Sequence, residues 1–380
     1  MRILVINYEY PPIGAGGGDV SKCLAEGFAR LGHPTVVLTA HWDRLPRRDK
    51  PRSNLAVHRV FAFRRAADRC TPPQMLAFML MGLPAAVSLV RRFRPDVVHA
   101  HFLIPVGPQA LALRGLFRVP YVVTCHGGDV GPEQTGLYYY LSKPMAALVA
   151  RRAAACVAVS KDLTQKARRL FPGARVEYIP NGVDVNQFQP AAERRHASPV
   201  RFVFAGRFST LKALDRLIEA ARRLLDAGTC GFEIMLYGGG PMEEALRRQV
   251  AEARLDGVVH FCGWVDRAAL AGALAEAHAF VLPSDIEGMP IACLQAMASG
   301  LAIIGSRIAG IQDVVTDGGN GILTPAGDVD ALAAAMQRLI TDRQLLNQMG
   351  QHSRVIAVES FSWEAIIERY LALFQRVIRQ

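Results

Sequence analysis

Short apolar runs rich in β-branched residues recur along nearly the whole chain, each followed by a stretch with helical spacing. In the first half they are ILVIN, TVVLTA, DVVHAH, YVVTCH, CVAVS and VEYIP; in the second, RFVFAGR, FEIMLYG, VVHFCGW, AFVLPS, AIIGS and GILTP. They are continuously apolar rather than alternating, which is the pattern of strands covered on both faces in parallel sheets wound through helices. Two doubly wound α/β units are therefore predicted, over residues 1–187 and 201–362. The segment between them, FQPAAERRHASPV, is polar and proline-flanked and reads as a linker over 188–200. After residue 362 the sequence SWEAIIERYLALFQRVIR has the pattern of an amphipathic helix, about 363–380, that can pack back onto the first domain.

One segment is more apolar than the rest. QMLAFMLMGLPAAVSLVRRFR, from Gln74 to Arg94, is interrupted by Pro84 and closed by a basic cluster. It falls short of the roughly 18–20 uninterrupted apolar residues that a bilayer span needs. Two readings stay open: a helix buried between a sheet and its neighbours, and a segment that dips into a membrane surface.

Length agrees with two domains, since 380 residues exceed what one ordinary core organises. MRILVINYEY lacks the charged start, long apolar run and small-residue cleavage site of a signal peptide, and reads as a buried strand. The seven cysteines are odd in number and scattered without a Cys-x-x-Cys pair, so neither a disulfide framework nor a zinc site is indicated. A reducing cytoplasm is the expected compartment. The net charge of +11 is unevenly spread: residues 1–190 hold 25 Lys and Arg against 12 Asp and Glu, and residues 191–380 hold 19 against 21. A basic first half suits an anionic membrane surface, a phosphorylated acceptor or nucleic acid, or is simply a solvated surface rich in arginine. Nucleic acid ranks last, because no recognition motif or aromatic interleaving accompanies the charge.

Ligands of open parallel sheets bind beyond the carboxyl ends of the strands, so the residues just after each run matter most. The first run leads to YEYPPIGAGGGDV, whose glycines expose backbone N–H groups ahead of a helix. It does not match Gly-x-Gly-x-x-Gly, since Asp19 stands where the third glycine would, and a plain flexible turn remains the alternative. YVVTC runs into His126, Gly127, Gly128 and Asp129, an imidazole and a carboxylate on a glycine loop; a structural histidine is the simpler reading. RFVFAGRFSTLK puts Arg207 at a strand end and Lys212 near a helix start, two cations suited to a diphosphate, or else an ordinary surface pair. Gly238 and Gly239 open a second loop stripped of side chains.

SDIEGMPIACLQAMASG follows the run AFVLP. Pro290 suits the first turn of a helix and Gly300 its C-terminal cap, with backbone N–H groups at Gly288 and Met289 beside Glu287. Between those ends Gln295 is the only side chain that is neither apolar nor small. An amide in such a helix needs a partner, either a backbone group of a neighbouring loop or a ligand hydroxyl.

Taken in order, PPIGAGGGDVSKCLAEGFARLGH, DVVHAH, CHGGD, VAVSKDL, YIPNGVDVNQF, AGRFSTLK, YGGGP, HFCGWV and SDIEGMPIACLQAMASGLAIIGS resemble the retaining glycosyltransferases of GT-B architecture, family four, across essentially the whole chain. The resemblance implies two Rossmann-like domains facing across a cleft, a nucleotide-sugar donor held by the C-terminal domain and an acceptor by the N-terminal one. It implies that Arg207 and Lys212 hold the donor diphosphate, that Glu287 contacts sugar hydroxyls and that Gly288, Met289 and Pro290 cradle sugar and phosphate. His126 would reach the sugar near the reacting carbon, Gly16 and Gly17 would lie against the diphosphate, and Asp129 would face the acceptor. Gly238 and Gly239 would carry the nucleotide, and the loop Gly263, Trp264 and Val265 the base, UDP or GDP being the expected nucleotide. The chain departs from the family at Gln295, where a glutamate usually accepts hydrogen bonds from ribose; a neutral acceptor is weaker by roughly 1 kcal/mol.

The expected function is retaining, metal-independent transfer of a sugar to a hydroxyl in envelope polysaccharide, glycolipid or another glycoconjugate. No cofactor is expected, and no metal-ligand cluster is visible. A saccharide or lipid-linked acceptor and an anionic membrane surface are the expected partners, on the inner face of the cytoplasmic membrane. The alternatives are a catalytically weak nucleotide-sugar binding protein, hinted at by Gln295, and a nicotinamide-dependent oxidoreductase, which shares the doubly wound fold but would need the glycine fingerprint.

Overall fold

The structure is a computed structural model describing residues 1–14, 16–67, 70–127, 137–191 and 199–380, with side chains of the 137–191 segment described from Ser142 onward. The chain divides into two compact units, Met1–Asn181 with Trp363–Gln380, and Gly182–Ser362.

The first unit carries strands β1 (Ile3–Ile6), β2 (Thr35–Ala40), β3 (Arg48–Arg52), β4 (Leu55–Val60), β5 (Val97–His101), β6 (Tyr121–Cys125), β7 (Ala155–Ala158) and β8 (Val176–Tyr178). Its helices are α1 (Gly16–Arg30), α2 (Pro72–Phe93), α3 (Gly107–Phe117), α4 (Leu137–Arg152) and α5 (Lys161–Leu170), with a C-terminal helix, Trp363–Ile378. The sheet order is β3-β4-β2-β1-β5-β6-β7-β8, antiparallel only between β3 and β4. Strands β1, β2, β5, β6 and β7 are buried along their whole lengths, as continuous apolar runs require. The C-terminal helix seats on α1 at Gly27, where a Cβ would come within 2.0 Å of Ile367 Cδ1. Around that contact Phe28, Tyr370 and Phe374 form an edge-on aromatic cluster.

Helix α2 answers the question left open for the apolar segment. Contrary to the expectation from Pro84, it is one helix long and apolar enough, by length and composition, to cross a membrane. A ridge of Gln74, Phe78, Gly82, Ala86 and Val90 at four-residue spacing is buried in the unit. Gln109 of α3 clamps it by donating to the carbonyls of Phe78 and Met79 at 2.8 and 3.0 Å. The opposite side exposes Leu76, Leu80 and Met81.

The second unit has strands β9 (Val200–Arg207), β10 (Phe232–Gly239), β11 (Val259–Gly263), β12 (Ala279–Leu282), β13 (Ala302–Ser306) and β14 (Gly321–Thr324). They form one wholly parallel sheet in the order β11-β10-β9-β12-β13-β14. Its helices are α6 (Leu214–Asp226), α7 (Glu243–Glu252), α8 (Arg267–Glu276), α9 (Ile291–Ala298), α10 (Ala309–Gln312), α11 (Val329–Thr341) and α12 (Arg343–Phe361). The unit begins at Gly182, ahead of the linker expected over 188–200. Phe188, placed by the sequence at the head of that linker, is fully buried here, with the Arg267 guanidinium 5.6 Å from its ring centre. Arg354 donates to the carbonyls of Val185 and Phe188, fastening the segment to this unit. Residues 192–198 of the expected linker lie outside the described residues.

Among the parallel strands of each sheet the order reverses once, between β1 and β5 in the first unit and between β9 and β12 in the second. Such switch points leave a crevice beyond the carboxyl ends of the two central strands.

Candidate functional site

At the switch point of the first unit, β1 is followed by Asn7, which is fully buried. Its side-chain amide donates to Ser21 Oγ at 3.0 Å and to Gly17 O at 3.3 Å, while Asn7 Oδ1 accepts the Glu9 N–H at 3.1 Å. This one amide ties the loop to the first turn of α1. Gly17 sits on that turn because nothing larger fits: a Cβ there would lie 2.7 Å from Phe102 Cζ and 3.6 Å from His126 Cγ. Gly16 opens the helix one residue earlier. The structure thus brings Gly17 and His126, 109 positions apart in sequence, to the same place.

Phe102, just past β5, adopts a left-handed φ of 72°, unusual for an aromatic residue and a form of strain that clusters at functional positions. Its ring lies 4.8 Å from that of His126 and 5.2 Å from that of Tyr8. Behind His126 stands His101, with its Nδ1 2.9 Å from His126 Nε2. Burial pushes all three neighbouring histidines below their ordinary pKa: His126 to about 4, His99 to about 3, and His101 well down, with mutual repulsion adding to the shifts of His99 and His101. The three rings are therefore neutral at physiological pH. Asp129, placed by the sequence on the acceptor side, lies outside the described residues.

The second unit differs in kind. Arg207 ends β9, exposed, and its guanidinium makes no hydrogen bond or ion pair among the described residues. Lys212 closes a single 3-10 turn, Thr210–Lys212. It is not a lone cation: its Nζ lies 2.6 Å from Glu287 Oε1, and Ser284 Oγ donates to the same oxygen at 2.8 Å. The Glu287 side chain is only 8% exposed, so the carboxylate needs this counter-ion. Both contacts fall on Oε1, and Oε2 has none among the described residues. Lys212 uses one of its three N–H donors on Glu287 and keeps two.

Neighbouring contacts hold the loop in place. Arg216 grips Asp285 with both guanidinium nitrogens, Nη2 to Oδ2 at 3.0 Å, and the Asp285 N–H donates to Leu211 O at 2.9 Å. Asp285 is thus a strut between the two segments that carry Lys212 and Glu287. Below the loop, a Cβ on Gly310 would fall 2.4 Å from Glu287 O and 2.5 Å from Gly288 O, so only glycine lets the backbone settle there. Above it, Gly288 has no atom within 4 Å of the place a Cβ would take. Met289 and Pro290 are buried, and Pro290 is the N-cap of α9. Gly300 ends that helix with φ 71°, its N–H on Met297 O and the Leu301 N–H on Ala296 O, a Schellman closure.

Gln295 is half-buried rather than sealed in, and its side chain finds no hydrogen-bond partner among the described residues. The backbone-partner alternative is not what the structure shows. On the neighbouring strand, Gly238 (φ 127°) passes so close to Gly206 that a Cβ would overlap its carbonyl at 1.9 Å. Gly239 lies under Trp264: a Cβ there would be 2.9 Å from the indole Nε1. Trp264, 72% exposed, stands between Gly263 at φ 68° and half-buried Val265. Among the described residues no group of three or more His, Cys, Asp and Glu is placed to hold a metal ion.

The sequence singled out Glu287, Lys212 and Arg207, but not Ser284, Arg216, Gly310, Asn7, Phe102 or His101. For Asn7 and His101 a signal existed, a polar residue at the end of an otherwise apolar strand run. Gly310 gave none.

The profile of Glycosyltransferase Family 4 matches residues 15–187, and that of Glycosyl transferases group 1 matches residues 199–342. The chain belongs to these glycosyltransferases. The glycogen synthase of Mycobacterium tuberculosis is 29% identical over 388 aligned positions, covering 96% of this chain and 92% of that protein. Among solved structures, sucrose-phosphate synthase from Thermosynechococcus elongatus superposes with a TM-score of 0.86 at 22% identity, over 100% of this chain and 99% of its own. Anabaena HepE in complex with UDP gives 0.76 at 18%, over 99% and 100%. The fold of this glycosyltransferase is GT-B, built from two parallel-sheet α/β domains.

Proposed function

We propose that this glycosyltransferase moves a sugar from a nucleoside-diphosphate donor to an acceptor hydroxyl, with retention of anomeric configuration and without a metal ion. The observation that carries the reading is Glu287, whose Oε1 is fixed by Lys212 and Ser284 while Oε2 is left for a donor hydroxyl. Lys212, with two N–H donors remaining, and Arg207, whose guanidinium has no partner among the described residues, are the cations for a departing diphosphate. The leaving phosphate then takes the acceptor proton as positive charge develops on the sugar ring. Gly288 leaves the backbone open to the sugar and phosphate, and exposed Trp264 over Gly239 offers an aromatic face to the base. The UDP in the HepE complex supports a uridine donor, and the glycogen synthase likeness supports a saccharide acceptor.

The test is a thermal-shift panel with UDP, GDP, ADP, dTDP and their sugars, followed by nucleotide release with and without EDTA. Selective stabilisation by one nucleotide and EDTA-insensitive turnover are expected. Arg207→Ala should leave the melting temperature unchanged and weaken diphosphate binding about tenfold or more. No stabilisation by any nucleotide would overturn the reading.

We further propose that the first unit docks on the anionic inner face of the cytoplasmic membrane. The cluster Arg151, Arg152, Lys166, Arg168 and Arg169 is partly engaged inside the protein: Lys166 pairs with Asp162, and Arg151 and Arg168 donate to Pro172 O and Val176 O. The open side of α2 is the stronger candidate. Leu76, Leu80 and Met81 are exposed there, as are Phe61 and Phe63 in the segment that Gln74 fastens to the start of α2. Arg65 lies at one end and Arg91, Arg92 and Arg94 at the other, and no acidic residue occurs from Thr71 to Pro95. Binding to anionic vesicles that exceeds binding to neutral ones at low salt, and falls when Leu80 and Phe63 become serine, is the expected result; equal binding to both vesicles would refute docking.

A further inference from the structure

Strand β5 places His99 and His101 two residues apart on one face, both fully buried, with ring centres 4.3 Å apart. Each has one ring nitrogen bonded and one bare. His101 Nδ1 meets His126 Nε2 at 2.9 Å, while His101 Nε2 has no partner. His99 Nε2 meets Thr124 Oγ1 at 2.9 Å, and Thr124 Oγ1 in turn meets the Tyr370 hydroxyl at 3.1 Å, while His99 Nδ1 has no partner. The planes of His101 and His126 lie within 10° of each other, with centres 5.2 Å apart, the arrangement of a straight in-plane N–H···N bond.

That bond holds one proton, and its direction can be reasoned out. Were His126 the donor, neutral His101 would carry its own proton on Nε2, burying an N–H with no acceptor. With His101 as donor, only a lone pair is left bare. Buried N–H groups without acceptors are the rarer and costlier case. Applied to His99, the same rule puts its proton on Nε2, toward Thr124. Both buried imidazoles then settle into the single tautomer that wastes no donor.

We propose that His101 is a positioning residue: its Nδ1–H holds Nε2 of His126 as an acceptor and fixes the His126 proton on Nδ1, so that His126 presents a neutral hydrogen-bond donor to a substrate oxygen. The nitrogen that would serve as a base is thereby occupied, and His126 recognises an oxygen rather than removing a proton. Burial disfavours a charge on any of the three rings, and repulsion among them adds a smaller push for His99 and His101, which keeps the donor neutral. The catalytic consequence rests on the glycosyl-transfer reading above; the tautomer does not.

A long-range ¹H–¹⁵N correlation spectrum of histidine-labelled protein, assigned through His126→Gln, tests the tautomer at neutral pH without any substrate. His126 is expected with Nδ1 in the protonated region and Nε2 in the bare region; the reverse assignment overturns the proposal. His101→Phe keeps the ring bulk and removes both nitrogens, so the His126 pattern should move toward the Nε2–H form. With UDP-glucose and ADP-glucose as probes, kcat for nucleotide release should fall about fivefold, the worth of one neutral hydrogen bond, at unchanged KM. His101→Asn, whose amide N–H reaches the place of Nδ1, should restore both. A purely structural role would lower thermal stability in both variants and leave the His126 pattern unmoved, which refutes the proposal. If the Phe variant does not fold, the wild-type spectrum still decides, and if neither probe turns over, the reaction reading fails while the spectrum stands.

Discussion

The two units solve the same topological problem with opposite chemistry. Each has a switch point in a parallel sheet, and each lines it with glycines that let backbone come close. At the first unit's switch point stand aromatic rings, Phe102 and Tyr8, and the imidazoles of His126 and His101, which burial keeps neutral at physiological pH. At the second stand ions: Arg207, the Lys212–Glu287 pair and the Arg216–Asp285 strut. A neutral, hydrogen-bonding surface suits sugar hydroxyls, whereas a fixed array of charges suits a diphosphate and a developing positive charge. The fold supplies a place for chemistry, and a few side chains at strand ends decide which chemistry it is.

The sharpest way to break this contrast is to remove the charge at its centre. Glu287→Ala should lower turnover by about a thousandfold, because one oriented group aimed at developing charge is worth that much. Nucleotide affinity should change little, since Lys212 and Arg207 remain. If release assays and calorimetry instead show nucleotide binding lost and turnover of the residual complex intact, Glu287 is a structural counter-ion for Lys212 and the charged unit has no catalytic centre there.

Acid should discriminate the units by stability. His99, His101 and His126 have folded-state pKa values below the ordinary histidine value, so between about pH 6.5 and 4 the unfolded chain binds more protons than the folded one. Their contribution is fully present above pH 6.5 and is lost as pH falls through that window. The urea midpoint should therefore drop steeply from pH 6.5 to 4.5, and His99→Phe, which removes one of the titrating groups, should flatten the slope. A midpoint flat across that range would mean that the three rings are not held neutral.

Much of this contrast was legible in the sequence. Twelve apolar runs became strands, because continuous hydrophobicity is what a sheet covered on both faces demands. Strands β3 and β4 were not anticipated: RDKPR is exposed throughout and LAVHRV alternates, so neither shows the buried-run pattern. Glu287, Lys212 and Arg207 were visible as charges at strand ends, but their pairing was not. That Lys212 is spent partly on Glu287 and Asp285 wholly on Arg216 depends on contacts 75 and 69 residues apart in the chain. His101 was visible as a polar end to an apolar run, but its role was not, since a histidine in a buried strand looks like packing until its bonded and bare nitrogens are counted.

Glycine offers a finer test of which backbone faces a ligand. Gly310→Ala must push the carbonyls of Glu287 and Gly288 from 2.4–2.5 Å, an overpacking that typically costs about 1–3 kcal/mol, so both melting temperature and turnover should fall. Gly288→Ala meets nothing and should keep its melting temperature, yet lower donor affinity several-fold by crowding the approach. If the Gly288 variant binds and turns over donor normally, the 288–290 backbone does not face the sugar or phosphate.

The smallest expected effect falls on Gln295, where the family resemblance leads one to expect a glutamate. Gln295 has an amide that no described residue uses, half-exposed on α9, a short turn-and-a-half beyond Glu287 and its loop. Because no described residue bonds that amide, Gln295→Glu should leave the melting temperature alone. A carboxylate is a stronger acceptor than an amide by roughly 1 kcal/mol, so nucleotide affinity should rise by up to about fivefold. An unchanged affinity would indicate that the side chain does not reach the nucleotide. A marked loss would mean that its N–H donors, and not its oxygen, are in use, as they would be on an acceptor atom of a base or phosphate; the neutral amide would then be part of how this chain selects its donor.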